Sequence, residues 1–191
     1  RYPNHLSLLC AGGDRPWSDY TRAMNCAVIT GANRGIGLEL CRALKTQGWH
    51  VVGACRTSSA VLDELDVEVV DGVDVGVDDG VATLAKALEG KSVDLLINCA
   101  GILQSNSLDS LDFASMRAQF EINSLGPLRV TSALLPNLSD GSKVALITSR
   151  MGSVSDNTSG GQYGYRMSKC ALNMAGASLA VDLRPKGIAV A

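Results

Sequence analysis

A phenol and an amine stand four residues apart at Tyr165 and Lys169, in the run Tyr163-Gly164-Tyr165-Arg166-Met167-Ser168-Lys169. On a helix the two side chains share one face. A carbonyl that receives a hydride becomes an alkoxide and needs a proton. A tyrosine hydroxyl can give it, although its ordinary pKa of about 10 is high for work near neutrality. A neighbouring ammonium favours the phenolate and brings that proton within reach. Tyr165 therefore reads as a general acid and Lys169 as its electrostatic partner. A bare Tyr-x-x-x-Lys often arises by chance on a solvated face, so the pair needs company. Tyr163 lies beside it, but no lysine stands at 167. Ser149 closes an apolar run, where its hydroxyl can hydrogen-bond a substrate oxygen or bond its own backbone; Ser153 is a rival. Asn123 follows Phe113, Met116 and Phe120 at spacings of three, four and three, so an amide interrupts an apolar helical stripe and needs partners. Gly126-Pro127 just beyond should perturb the helix and free carbonyls. Asn123 thus reads equally as a structural amide on that distorted backbone.

The elements that position these groups alternate. Cys26 to Thr30 reads as a first strand, with a helix over 35–47 stopped by Gly48. Strands follow at His50 to Cys55, Val67 to Val70, Val93 to Ile97 and Lys143 to Thr148, and a sixth begins at Gly187 to Ala191. Helical patterns cover Val77 to Glu89, a long stretch from Phe113 to Leu135, and Tyr163 to Leu183. The strand runs are continuously apolar, as in a parallel sheet covered on both faces. Repeated β–α alternation predicts a doubly wound, Rossmann-like α/β fold in a single domain over 24–191. Residues 1–23 show no periodicity and read as an unstructured leader or non-domain sequence.

Thr30-Gly31-Ala32-Asn33-Arg34-Gly35-Ile36-Gly37 joins the first strand to the first helix. There, Gly31 permits a tight turn, Gly35 lets backbone approach a pyrophosphate, and Gly37 lets helix and strand pack closely. The helix N-terminus offers N–H donors and the positive end of its dipole to phosphates. A structural glycine loop is the plainer alternative, weakened by this position in an alternating chain. At the end of the second strand a carboxylate would select NAD through the ribose 2′-hydroxyl. Instead Ala54-Cys55-Arg56 stands there, and Arg34 adds a second cation. Two guanidiniums can fork a 2′-phosphate, which favours NADP(H) over the reading of two solvated surface arginines.

The spacing Gly-x-x-x-Gly-x-Gly after a threonine resembles the short-chain dehydrogenase/reductase family, and the likeness runs over about residues 25–191. The segment Ser149 to Ser153 and the run Tyr163 to Lys169 resemble its C-factor or sniffer-like carbonyl reductase branch. The resemblance implies that Lys169 also holds the nicotinamide ribose and that Asn123 holds a water in a proton relay toward it. Ser149-x-x-Gly152 matches the family pattern after strand five. Asp74-Val75 after strand three resembles the family's adenine-contacting Asp, with Asp71 as a rival. Asn98-Cys99-Ala100-Gly101 resembles Asn-Asn-Ala-Gly, a motif that borders the cofactor; here Cys99 replaces the second Asn. The implied cofactor site is Gly31, Asn33, Arg34, Gly35, Ile36 and Gly37, then Arg56, Asp74, Val75, Asn98, Ala100 and Gly101, with Tyr165 and Lys169. The implied activity is NADPH-dependent reduction of an aldehyde or ketone by a cytoplasmic homodimer or homotetramer. Family members continue past strand six into a substrate-covering segment and a seventh strand. The chain is therefore expected to be a fragment, incomplete at its C-terminal side. A nucleotide-binding signalling protein of C-factor type, an inactive fragment and a dimerisation module are the competing readings.

Composition bounds these readings. The chain has 191 residues, 46% hydrophobic and 19% charged, enough for one well-filled core. Its net charge of −2 supplies no basic excess for nucleic acid or an anionic membrane. Only 4% of residues are aromatic, which weakens base stacking. The two histidines, His5 and His50, are far apart, against a zinc site or a histidine triad. Six cysteines at irregular spacing read as buried hydrophobes in a reducing compartment. No run of 18 apolar residues offers a membrane span.

Overall fold

Each of the six expected strands is present in a computed structural model of the protein, which describes residues 25–191; the leader expected over 1–23 lies outside the described residues. The strands are β1 (Cys26–Thr30), β2 (His50–Ala54), β3 (Glu68–Val70), β4 (Leu95–Asn98), β5 (Lys143–Leu146) and β6 (Ala189–Val190). They form one parallel sheet in the order β3-β2-β1-β4-β5-β6. Right-handed connections running outward from β1 in both directions produce this order, the doubly wound arrangement that the alternation predicts.

Continuous apolarity in the strands has the expected cause. All five residues of β1 are buried, and successive side chains serve opposite faces. Cys26 and Val28 join a core with α3 (Asp78–Ala87) and α5 (Gly126–Ala133), through Leu84, Val130 and Leu134. Ala27 and Ile29 join a second core with α1 (Gly35–Thr46) and α2 (Ala60–Asp63), through Leu38, Cys41 and Leu62. The short α2 lay hidden in the sequence because four residues carry too little periodicity to detect.

The largest departure from expectation lies between 113 and 135. One long helix is expected there. The chain instead forms α4 (Phe113–Phe120), a π turn over Glu121–Leu125, α5, and a 3₁₀ turn over Leu135–Asn137. Pro127 has no N–H for the carbonyl four residues back, that of Asn123, so i→i−4 bonding fails here and the turn widens. The expected apolar stripe is not the fully buried face: Phe113 is 60% exposed and Met116 and Phe120 are half-buried, whereas Gln119 and Asn123 are fully buried. Gln119 of α4 and Asn123 of the π turn therefore present amides inward. The last long helix, α6 (Tyr163–Leu183), has the expected bounds. No helix among the described residues is long and apolar enough to cross a membrane.

Candidate active site

β1 has β2 on one side and β4 on the other, so the direction in which successive strands are added to the sheet reverses there. A crevice opens beyond the carboxyl ends of strands at such a point. It is a cleft of about 810 Å³ lined by the glycine loop, the ends of β2 and β3, the segment after β4, and one face of α6.

Three features shape the glycine loop. Gly31 has φ +70°, and a Cβ there would lie 2.8 Å from Ala100 Cα. Gly35 has φ +56° with open space where a Cβ would sit. A Cβ on Gly37 would lie 2.2 Å from the Gly31 carbonyl oxygen, too close to exist. Helix α1 starts without a side-chain cap or an acidic residue in its first turn, so its N-terminal donors face the cleft uncompensated. Asn33 donates to the Thr57 carbonyl at 2.9 Å, and the Ser59 hydroxyl donates to the Asn33 carbonyl at 2.8 Å. This latch ties the glycine loop to the segment after β2 and brings Arg34 and Arg56, both exposed, to the same end of the cleft. Asn33, Ile36, Ala100 and Gly101 line it as well.

Asp74 and Val75 reach the cleft, and Asp74 Oδ1 accepts the Gly76 N–H at 2.8 Å. The rival Asp71 accepts instead from the Cys55 thiol at 3.5 Å. At the other end Tyr165 and Lys169 form the wall. Lys169 is only 5% exposed. Its Nζ donates to the Ile147 carbonyl at 2.7 Å and stands 5.9 Å from the Tyr165 ring centre. Burial pulls the Lys169 ammonium below the usual lysine range, opposed in part by Cys99. Burial also raises the Cys99 thiol.

Three expected site residues stand back from the lining. Asn123 is buried behind it: its Oδ1 accepts the Ile102 N–H at 2.8 Å, and its Nδ2 donates to the Ile102 carbonyl at 2.8 Å and to Ser168 Oγ at 3.0 Å. Asn98 points at α5, donating to Thr131 Oγ1 at 3.3 Å, and its Oδ1 has no partner among the described residues. Ser149 Oγ accepts the Met151 N–H at 3.1 Å and starts a 3₁₀ turn. That bond occupies a lone pair and leaves the hydroxyl proton available as a donor. The lining also holds residues that sequence reasoning passed over: Thr57, Ile102, Leu103, Ile122, Ile147 and Thr148. Their only signal was adjacency to a motif. Thr30 is another. Its hydroxyl accepts from both Cys99 N and Ala100 N, at 3.0 and 3.1 Å, and so joins the ends of β1 and β4.

A model of short-chain dehydrogenases matches residues 25–191. The chain belongs to that family. Among family members, a 1-hydroxy-2-glutathionyl-2-methyl-3-butene dehydrogenase from Rhodococcus sp. (strain AD45) is 41% identical over 87% of this chain and 75% of its own. A C-signal protein of Myxococcus xanthus is 57% identical over 50% of this chain and 59% of its own. The chain thus spans about three fifths to three quarters of these relatives. A solved family structure, an NADPH-bound carbonyl reductase from chicken fatty liver, superimposes with a TM-score of 0.75 at 28% identity, over 86% of this chain and 76% of that one. As a family member the chain has an oxidoreductase fold, and its cleft supplies what a phosphate-bearing dinucleotide needs: an uncapped helix start, a glycine open to close approach, and paired cations.

Proposed function

We propose that the protein reduces an aldehyde or ketone to an alcohol using NADPH, with Tyr165 as proton donor. The observation that carries this reading is the buried Lys169 ammonium beside the Tyr165 ring, on the wall of the cleft that the glycine loop opens. Bound NADPH would supply the hydride.

The chain's own residues do the rest. The start of α1 and Gly35 hold the pyrophosphate, and Arg34 and Arg56 fork the 2′-phosphate, the feature that separates NADPH from NADH. Asp74 and Val75 flank the adenine, while Ala100 and Gly101 border the dinucleotide opposite the glycine loop. The Ser149 hydroxyl donates to the substrate oxygen, and Tyr165 transfers its proton to that oxygen as negative charge develops. Lys169 stabilises the phenolate left behind and bonds the nicotinamide ribose. Asn123 contributes through the frame behind the cleft, with its carbonyl spared by Pro127 as a place for a relay water. A carbonyl reductase that binds NADPH shares this fold, which supports both the cofactor and the substrate class. The homodimer or homotetramer implied by the family would use the outer face of α6, where Met167, Met174 and Val181 are exposed at seven-residue spacing.

Tyr165→Phe tests this directly. The expected outcome is a loss of about 10³-fold in kcat for NADPH-dependent aldehyde reduction. NADPH affinity, read from cofactor fluorescence, should stay within about twofold. Retained reduction would remove Tyr165 from its role. Retained NADPH binding by wild type, with no turnover of any aldehyde, ketone or quinone, would favour the signalling reading instead.

A further inference from the structure

The wall of the cleft after β4, Gly101 to Leu103, belongs to no helix or strand, yet it lines the reacting end. Two buried amides hold it from behind. Gln119 Oε1 accepts the Gln104 N–H at 3.1 Å, and Gln119 Nε2 donates to the Gln104 carbonyl at 3.2 Å. Asn123 treats Ile102 in the same way, at 2.8 Å for both bonds. A carboxamide carries one acceptor and one donor side by side, as a peptide unit does. Each amide therefore pairs with one residue as a neighbouring strand would.

The spacing is matched. Ile102 and Gln104 are two apart, so in extended backbone their N–H and C=O groups point the same way about 6.6 Å apart. Gln119 and Asn123 are four apart, stacked about 6 Å along a helical face. One turn earlier, the Ser115 hydroxyl donates to the Gln104 side chain, extending the row. Gln119 is fully buried, and both of its polar ends are used on this one residue. A Cβ on Gly164 would come within 2.6 Å of Gln119 Nε2, so α6 presses on the same amide from the other side. The wall and the Tyr165 helix are thereby set against one side chain.

We infer that Gln119 is a positioning residue: with Asn123 it forms a two-amide clasp that replaces a missing strand and fixes the register of Ile102 and Leu103 against the reacting end. The inference rests on the proposed carbonyl reduction only for its kinetic consequence. It does not touch the phosphate-binding end. Its loss should therefore lower kcat and leave cofactor affinity alone.

Amide hydrogen exchange and kinetics on Gln119→Leu and Gln119→Glu provide the test. In Gln119→Leu the Gln104 amide should exchange at least tenfold faster, with amides of β1 and β2 unchanged. The kcat for aldehyde reduction should fall about tenfold, with the Kd for NADPH within twofold. In Gln119→Glu the protonated carboxyl can still donate to the Gln104 carbonyl, whereas the carboxylate repels it. Protection and kcat should therefore approach wild type at pH 5.5 and fall as pH rises, a profile that simple destabilisation would not give. Unchanged Gln104 exchange in Gln119→Leu, or kcat and NADPH affinity falling together in both variants at every pH, would overturn the clasp. If wild type binds NADPH but turns nothing over, the function fails; the exchange result still decides the clasp.

Discussion

The two ends of the cleft are built by different means. At the phosphate end the working surface is backbone: the Gly31 turn, the open flank of Gly35 and the uncapped start of α1, all within eight consecutive residues. At the other end side chains converge: Tyr165 and Lys169 of α6 on the wall and, set back from it, Ser149 after β5, Gln119 of α4 and Asn123 of the π turn, the two amides reaching a segment that follows β4. Local backbone shape can be carried by a short motif. Convergent side chains need the whole sheet to bring their elements together. The first end should therefore fail through sterics, the second through chemistry or register.

The harshest test of that contrast is a single methyl group. Gly37→Ala places a Cβ where the Gly31 carbonyl oxygen already sits, 2.2 Å away. Backbone on both sides leaves nothing flexible to yield. The expected cost is about 3 kcal/mol or more. Thermal melting should show it, together with loss of NADPH binding at the growth temperature of the host. A variant with wild-type melting and affinity would mean that the loop holds its shape by other contacts, and the contrast would dissolve.

The same contrast explains which features are legible in the sequence. Strand positions, the doubly wound parallel sheet and the glycine loop follow from periodicity and from residues that are neighbours in the chain. Tyr165 and Lys169 were legible because one helix carries both. The partners of Asn123 were not. The amide was visible as an interruption among apolar residues, but its bonds run to Ile102 and Ser168, 21 and 45 residues away. Gln119 gave no signal, because a polar residue on a helix ordinarily faces water. The break at Glu121–Leu125 was foreshadowed by Pro127, though not its form as a π turn. Asn98 shows the opposite hazard: its motif places it beside the cofactor, yet its amide turns toward Thr131.

Arg56 is the exception inside the backbone-built end, and it sharpens the comparison. It is an exposed side chain whose backbone is held by the Gly72 N–H and by the neighbouring Asn33–Thr57–Ser59 latch, so removing its charge should disturb no packing. Arg56→Asp should weaken NADPH by about 50-fold, or roughly 2.3 kcal/mol, in line with one lost charge-assisted phosphate contact plus a repulsive carboxylate. NADH should change by less than threefold, and melting should be unaltered. Fluorescence titration with both nucleotides checks this. Equal weakening of both would move the discrimination from the 2′-phosphate to the common part of the molecule.

The smallest expected effect sets the buried thiols of the β1–α1–β2 half against Lys169 by the sign of their alkaline response. Burial pushes the Cys26 and Cys41 thiols up to about 11; burial, with Asp71 adding to it, pushes Cys55 up to about 12. All three belong to the β1–α1–β2 half. Above pH 9 the unfolded chain releases thiol protons that the folded chain keeps, so it binds fewer protons and stability falls with rising pH. Lys169 behaves oppositely. Its folded pKa lies below 10.5, so between the two values the unfolded chain binds more protons, and this residue adds stability as pH rises. Between pH 8 and 9.5 each contribution should be about 1 kcal/mol or less. Melting across that range should decline less steeply in Cys55→Ala than in wild type and more steeply in Lys169→Met. Parallel curves for all three proteins would mean that neither half holds its protons as the burial of these groups requires.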